Sequence, residues 1–151
     1  MLKSAKDEAE LALNLDPLDS SANHAMALVQ IQWDQTQGAE QRFLQAIESD
    51  TRNWAARDSC GRFLCERGRA TEGIGQIQEA LGNPFIQQAY ISELGLRICF
   101  AGTGDWDNAS FYLKRALKGS SDLNSALYHL AEVSYAQENY LSARGFLERY
   151  F

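Results

Sequence analysis

Five small residues, Ala5, Ala39, Gly73, Ala109 and Ala143, recur along the chain at intervals of 34, 34, 36 and 34. Spacing that regular, over 138 of 151 residues, means that one supersecondary unit is repeated and that each copy relies on its neighbours to bury its apolar face. The flanking residues agree. Four positions after each small residue come Ala9, Phe43, Ile77, Leu113 and Leu147, and seven positions after it come Ala12, Ala46, Ala80, Ala116 and Tyr150. Offsets of four and seven share one face of an α-helix, so each unit has a helix that turns this stripe toward a partner. The partner helix needs a small residue where the two cross. Ala27, Gly61, Gly95 and Ala131 supply it, with Met26, Cys60, Leu94 and Leu130 just before them as buried positions.

A helix–turn–helix period of 34 is the signature of the tetratricopeptide repeat. The chain is therefore read as all-α, a right-handed tetratricopeptide superhelix (an α-solenoid) of about nine helices, four full repeats after a leading half repeat. The expected spans are about 3–15, 20–33, 36–49, 53–67, 70–82, 86–101, 105–119, 123–137 and 139–150. Pro17 and Pro84 stand where helices must stop, and Asp19, Ser20, Asp105 and Asp122 stand where helices need N-caps. The two residues by which one interval exceeds 34 are expected between Gly95 and Ala109, in the turn AGTGDW with its two glycines. No useful run of β-alternation occurs.

The unbroken period makes residues 1–151 a single tetratricopeptide domain. A net charge of −6 and a pI near 4.9 leave no basic footprint for nucleic acid or an anionic membrane. No apolar stretch is long enough to span a bilayer. Leu2 to Leu15 reads as a second helix without its first, which predicts a fragment of a longer chain, since solenoids cap their ends.

Three segments are more specific than the generic repeat: FLCERGRATEGIGQIQEALGNP (Phe63 to Pro84), ELGLRICFAGTGDWDNASFYLKRAL (Glu93 to Leu117) and ENYLSARGFLERYF (Glu138 to Phe151). Together, in order and register over nearly the whole chain, they resemble the PilF/PilW family of type IV pilus biogenesis lipoproteins. The family's signal sequence, its lipid-bearing cysteine and the opening helix of the first repeat have no counterpart in these residues. The resemblance implies a non-enzymatic pilotin, lipid-anchored on the periplasmic face of the outer membrane of a Gram-negative bacterium. Its partner would be the pilus secretin subunit, whose assembly it promotes. The alternative is a generic tetratricopeptide scaffold in another envelope or cytosolic complex. A co-chaperone-type carboxylate clamp is absent, because the groove positions that would carry its Lys, Arg and Asn offer Arg62 alone.

In the repeat register, the first helices line a groove with His24, Leu28, Arg62, Leu96, Phe100, Tyr128, Glu132 and Tyr135. Apolar and aromatic groups with few charges suit a peptide partner, and tyrosine adds a hydrogen-bonding tip at low entropic cost. These aromatics either meet a ligand or pack against flanking repeats, and His24 either meets a ligand or is solvated. Cys65 and Cys99 are 34 apart and so expected at equivalent places in adjacent first helices. They form either a disulfide or two semi-buried thiols, since packed helix axes lie about 8–10 Å apart while a bridge needs Cα atoms within about 7 Å. Cys60 is expected in the core, as are Trp106 and Tyr140. Three cysteines without CxxC spacing, and histidines only at 24 and 129, make no zinc site. GTGD at 102–105 lacks the strand and the Lys-Ser or Lys-Thr ending of a phosphate loop. No catalytic residue, metal or cofactor is expected.

Overall fold

A computed structural model describes residues 2–119 and 123–151. Among them are nine helices and no strand: α1 (Leu2–Leu15), α2 (Ser20–Gln32), α3 (Thr36–Ser49), α4 (Trp54–Glu66), α5 (Ala70–Leu81), α6 (Ala89–Gly102), α7 (Trp106–Gly119), α8 (Leu123–Ala136) and α9 (Tyr140–Tyr150). The chain divides into two compact units, one ending at Cys60 and one starting at Gly61, with the division inside α4.

In the first unit, Ala9 of α1 packs with Met26 and Val29 of α2, flanked by Leu13 and Ala25. On α3 the stripe Ala39, Phe43 and Ala46 is fully buried, as the four-and-seven spacing requires. Asp19 caps α2 by accepting from the Ala22 N–H at 2.7 Å. Ser20, expected as a cap, instead donates to the Ala46 carbonyl at 2.6 Å and accepts from Asn53. Asn53 in turn caps α4 through the Ala56 N–H at 3.0 Å. The buried Asn23 donates to the carbonyls of Pro17 and Asp19, and so holds the turn that precedes its own helix.

In the second unit, α4 and α5 cross at Gly61 and Gly73. A Cβ on Gly73 would fall 2.4 Å from the Gly61 carbonyl oxygen, and one on Gly61 would fall 2.6 Å from that of Gly73. Ile77, Leu96 and Cys99 form one core cluster, with Cys65, Ile74 and Phe100 against it. Leu113, Leu130 and Val133 form another, joined by Leu94, Trp106 and Phe146. Asp105 caps α7 and Asn139 caps α9, each accepting from the N–H three residues on. The cap expected at Asp122 lies outside the described residues.

The two extra residues are not in the AGTGDW turn. All four turns within repeats, 33–35, 67–69, 103–105 and 137–139, are three residues long. Each has its middle residue at positive φ: Asp34, Gly68, Gly104 and Glu138. The same backbone bond closes each turn, from Gln35 to Gln30, Arg69 to Leu64, Asp105 to Phe100 and Asn139 to Ser134. The α5–α6 connection, by contrast, runs seven residues, 82–88, against four at 16–19 and 50–53. There the Asn83 carboxamide accepts from the Phe85 N–H at 3.0 Å, the turn extends past Pro84, and α6 starts at Ala89 where 86 was expected.

This shifts the register of α6 by two residues. Counted back from its turn, the counterpart of Cys60 is Leu96, and that of Gly61 is Arg97. The small residue Gly95 faces elsewhere: a Cβ there would touch Arg62 and Ile77, 3.2 Å away.

Candidate functional site

The register shift corrects the expected groove. Leu96 is fully buried, like its counterparts Met26, Cys60 and Leu130. It packs on Ile77 and Cys99 and has no surface to offer a partner. Phe100 is half-buried and stacks on Tyr112 of α7, with ring centroids 5.6 Å apart and an interplanar angle of 4°. The α6 residue equivalent to Leu28, Arg62 and Glu132 is Ile98, which is 37% exposed against 42% for Leu28.

On the first unit, α2 presents Leu28 to solvent and holds His24 half-buried. The His24 ring lies 6.0 Å from that of Phe43, and its Nε2 is 3.0 Å from the Ser59 hydroxyl on α4. His24 is therefore a tie between helices rather than a solvated groove residue. Arg62, where the second unit begins, is half-buried, with its aliphatic stem against Gly95.

Further along the second unit, Tyr128 and Tyr135 of α8 are exposed at 52% and 67%. Glu132 lies one turn from each, its carboxylate bonded by the buried Arg97 of α6 and 3.3 Å from His129 Nδ1. Arg115 of α7 likewise reaches the buried Glu93 of α6 at 2.9 Å. These ion pairs brace α6 against α7 and α8 and fix the Glu132 carboxylate between two tyrosines. Chemically, this surface offers phenol tips, an anchored carboxylate and an aliphatic Ile98.

Tyr140 departs from expectation. It is 57% exposed and packs edge-to-face on Tyr135 at 5.3 Å, whereas Trp106, its counterpart in the preceding repeat, joins the Leu113–Leu130 cluster. Tyr135, Tyr140, Leu147 and Phe151 border an open cleft of about 550 Å³.

Cys65 and Cys99 are bonded, with Cα atoms 5.2 Å apart. The approach is closer than helix packing usually allows because Gly95, one turn before Cys99, has no side chain to hold α6 away from Arg62. The bridged cysteines are not equivalent in the repeat: Cys65 stands three residues before the left-handed residue of its turn and Cys99 five. Cys60 is a buried thiol outside the bridge. Among the described residues, no group of three His, Cys, Asp or Glu side chains is placed to hold a metal ion, and no helix is long and apolar enough to cross a membrane.

The reading of sequence alone missed Ile98 and the brace Arg97–Glu132. Counting from the turns, whose short runs WDQ, RGR, TGD and QEN recur, would have found Ile98, whereas the brace depends on how two helices meet.

No protein-family model matches the chain. The type IV pilus assembly protein PilF of Pseudomonas aeruginosa is 23% identical over 146 residues, covering 97% of this chain. The chain spans 58% of that relative's length. The solved structure of Pseudomonas aeruginosa PilF matches with a TM-score of 0.87 at 23% identity, over 99% of this chain and 67% of that one. That of PilW, a type IV pilus biogenesis factor, matches at 0.91 with 27% identity, over 99% and 68%. The tetratricopeptide protein YrrB matches at 0.74 with 18% identity, over 99% and 76%, so the all-α tetratricopeptide fold is shared more widely than the sequence. Similarity in residues and in the order of helices, sustained over nearly the whole chain, makes this protein a homologue of PilF and a structural match to PilF and PilW, the tetratricopeptide proteins of type IV pilus biogenesis.

Proposed function

We propose that this chain is a non-enzymatic binding module that promotes assembly or localisation of the outer-membrane secretin during type IV pilus biogenesis. It works as one tetratricopeptide domain over residues 1–151, and its site of work is the periplasmic face of the outer membrane, reached through a lipid anchor. The match to PilF and PilW over at least 97% of the chain supports this reading. Exposed first-helix residues supply suitable chemistry on each unit separately: Leu28 on the first, and Ile98, Tyr128, Glu132 and Tyr135 on the second. Aromatic and aliphatic groups with one fixed carboxylate fit a peptide or helix of another protein; they do not fit a reaction, which needs a nucleophile, a base and an oriented substrate.

The test is capture of purified secretin subunit by the immobilised chain. Ile98→Glu with Tyr128→Glu, both at exposed positions, should weaken capture at least about tenfold, roughly 1.4 kcal/mol, while the circular dichroism spectrum stays helical. Undiminished capture by the folded double variant would show the face to be wrong. Failure of the unaltered chain to capture secretin would remove the secretin from the reading.

A further inference from the structure

A second cleft lies in the first unit, on α2 between α1 and α3. Its volume is about 500 Å³, within the roughly 300–1,000 Å³ range of ligand sites. Leu13, Met26 and Trp33 give it apolar walls, and Trp33 is 44% exposed.

The charges in it are unevenly matched. Lys6 is paired with Glu10 at 3.1 Å and lies over the Trp33 ring, 5.3 Å from its centroid. Arg42 is half-buried, and its one hydrogen bond among the described residues runs 2.9 Å to the neutral Asn23 carboxamide. No carboxylate stands within ion-pair distance of it among those residues. The lining therefore carries Lys6, Arg42 and Glu10, a net of +1, on a chain of net −6. A guanidinium fork offers paired donors shaped for a carboxylate, and here none is supplied from within. The amides of Asn14, Gln30 and Gln35 also line the cleft. Gln30 Oε1 is buried without a hydrogen-bond partner, and a turn of this amide into the cleft would let a ligand N–H satisfy it.

Asn23, to which Arg42 is bonded, and Trp33 are ten residues apart on the helix path, about 15 Å at 1.5 Å per residue. An extended chain rises about 3.3 Å per residue and returns its side chains to one face at every second residue, so a spacing of four residues, about 13 Å, matches this length with side-chain reach. Arg42 reaches toward Asn23, near the start of α2, and Trp33 stands at the other end. We propose that this cleft binds a short extended segment of a partner protein. An aspartate or glutamate of that segment would sit on Arg42, an apolar side chain four residues before it on Trp33, and the peptide groups between them on the three amides.

The experiment is titration of the isotope-labelled chain with N-acetyl-leucyl-glycyl-glycyl-glycyl-aspartate amide and with its asparagine isostere, followed by NMR. The acidic peptide should shift the Trp33 indole and the Gln30 and Gln35 amide signals, and bind at least tenfold more tightly than the isostere. Arg42→Gln should remove that preference. Trp33→Ala, far along the helix from the Arg42–Asn23 bond, should weaken both peptides in a chain that keeps its dispersed spectrum. The proposal is overturned by equal affinity for the two peptides, by no binding of either at millimolar concentration, or by a preference that survives Arg42→Gln in folded protein. Shifts centred on Ile98 and Tyr128 instead of Trp33 would overturn it too, and would leave the secretin reading standing.

Discussion

At the scale of the residue, the α4–α5 crossing shows how one hydrogen atom in place of a methyl group sets a helix–helix distance. Gly73 and Gly75 lie two apart on the same helix, yet only Gly73 has its missing Cβ filled, 2.4 Å from Cys65 Sγ and from the Gly61 carbonyl oxygen. Around Gly75 nothing stands within 4 Å. Gly73→Ala should therefore destabilise, because overpacking against backbone costs about 1–3 kcal/mol and the better helix propensity of alanine returns only about 1 kcal/mol. Gly75→Ala meets no such opposition and should stabilise by up to about 1 kcal/mol. Urea midpoints of the two variants at equal m-value check the pair, and a neutral or stabilising Gly73→Ala would mean that the helices do not cross in contact there. Of the two glycines, the repeat spacing singled out Gly73 as the packing residue. What the spacing could not show is that its neighbour at the crossing includes a disulfide sulfur.

At the scale of the element, α6 is where sequence and structure part, and the reason is physical. Gly95 continues the series Ala27, Gly61 at 34, so a count of small residues leads through it. The helix is in fact registered by its turn, whose bond from Asp105 to Phe100 repeats those at 35 to 30 and 69 to 64. Gly95 is small for a different purpose, the approach of α6 to Arg62. The consequence is testable by one pair of substitutions. Leu96→Glu places a charge in the Ile77–Cys99 core and should cost about 3–5 kcal/mol, whereas Ile98→Glu, at a surface site, should cost about 1 kcal/mol or less. Thermal denaturation distinguishes them, and the reverse order would restore the original register. The next helix gives a pH-dependent case. Asp105 caps α7, and the Asn108 side chain and then the Asn108 N–H hold its carboxyl below the ordinary aspartate value. A depressed folded-state pKa stabilises above the unfolded value and is lost as pH falls through the folded one. Stability measured in urea from pH 6 downward should thus decline less steeply in Asp105→Asn, whose amide caps without titrating; identical slopes would mean that the carboxylate contributes nothing.

At the scale of the whole molecule, the period of 34 was enough for the helix count, the helix order and the core stripe of α3, α5 and α7, because those follow from side chains recurring on one face, while on α1 and α9 the same stripe leaves Ala5, Leu147 and Tyr150 exposed. It could not show where pairs from different helices meet, as with His24 and Ser59, Arg97 and Glu132, or Cys65 and Cys99, since each depends on how closely two helices approach. The last of these also makes the two units unequal. The bridge lies wholly in the part that starts at Gly61, while the part ending at Cys60 has none. Such a bond persists in an oxidising compartment, in keeping with work in the cell envelope. Closing a loop of separation 34 removes unfolded-state entropy worth about 3–4 kcal/mol. A repeat array unfolds by segments, so a local staple protects its own neighbourhood first. Native-state hydrogen exchange should accordingly show higher opening free energies for α5, α6 and α7 than for α1, α2 and α3. Reduction under the same conditions should lower protection in α5, α6 and α7 by about 3–4 kcal/mol while leaving α1, α2 and α3 within about 0.5 kcal/mol of their oxidised values. An equal loss everywhere would show instead that the two units open as one, and no loss anywhere would show that the native contacts of Gly61, Gly73 and Gly95 hold these helices together without the sulfur bond.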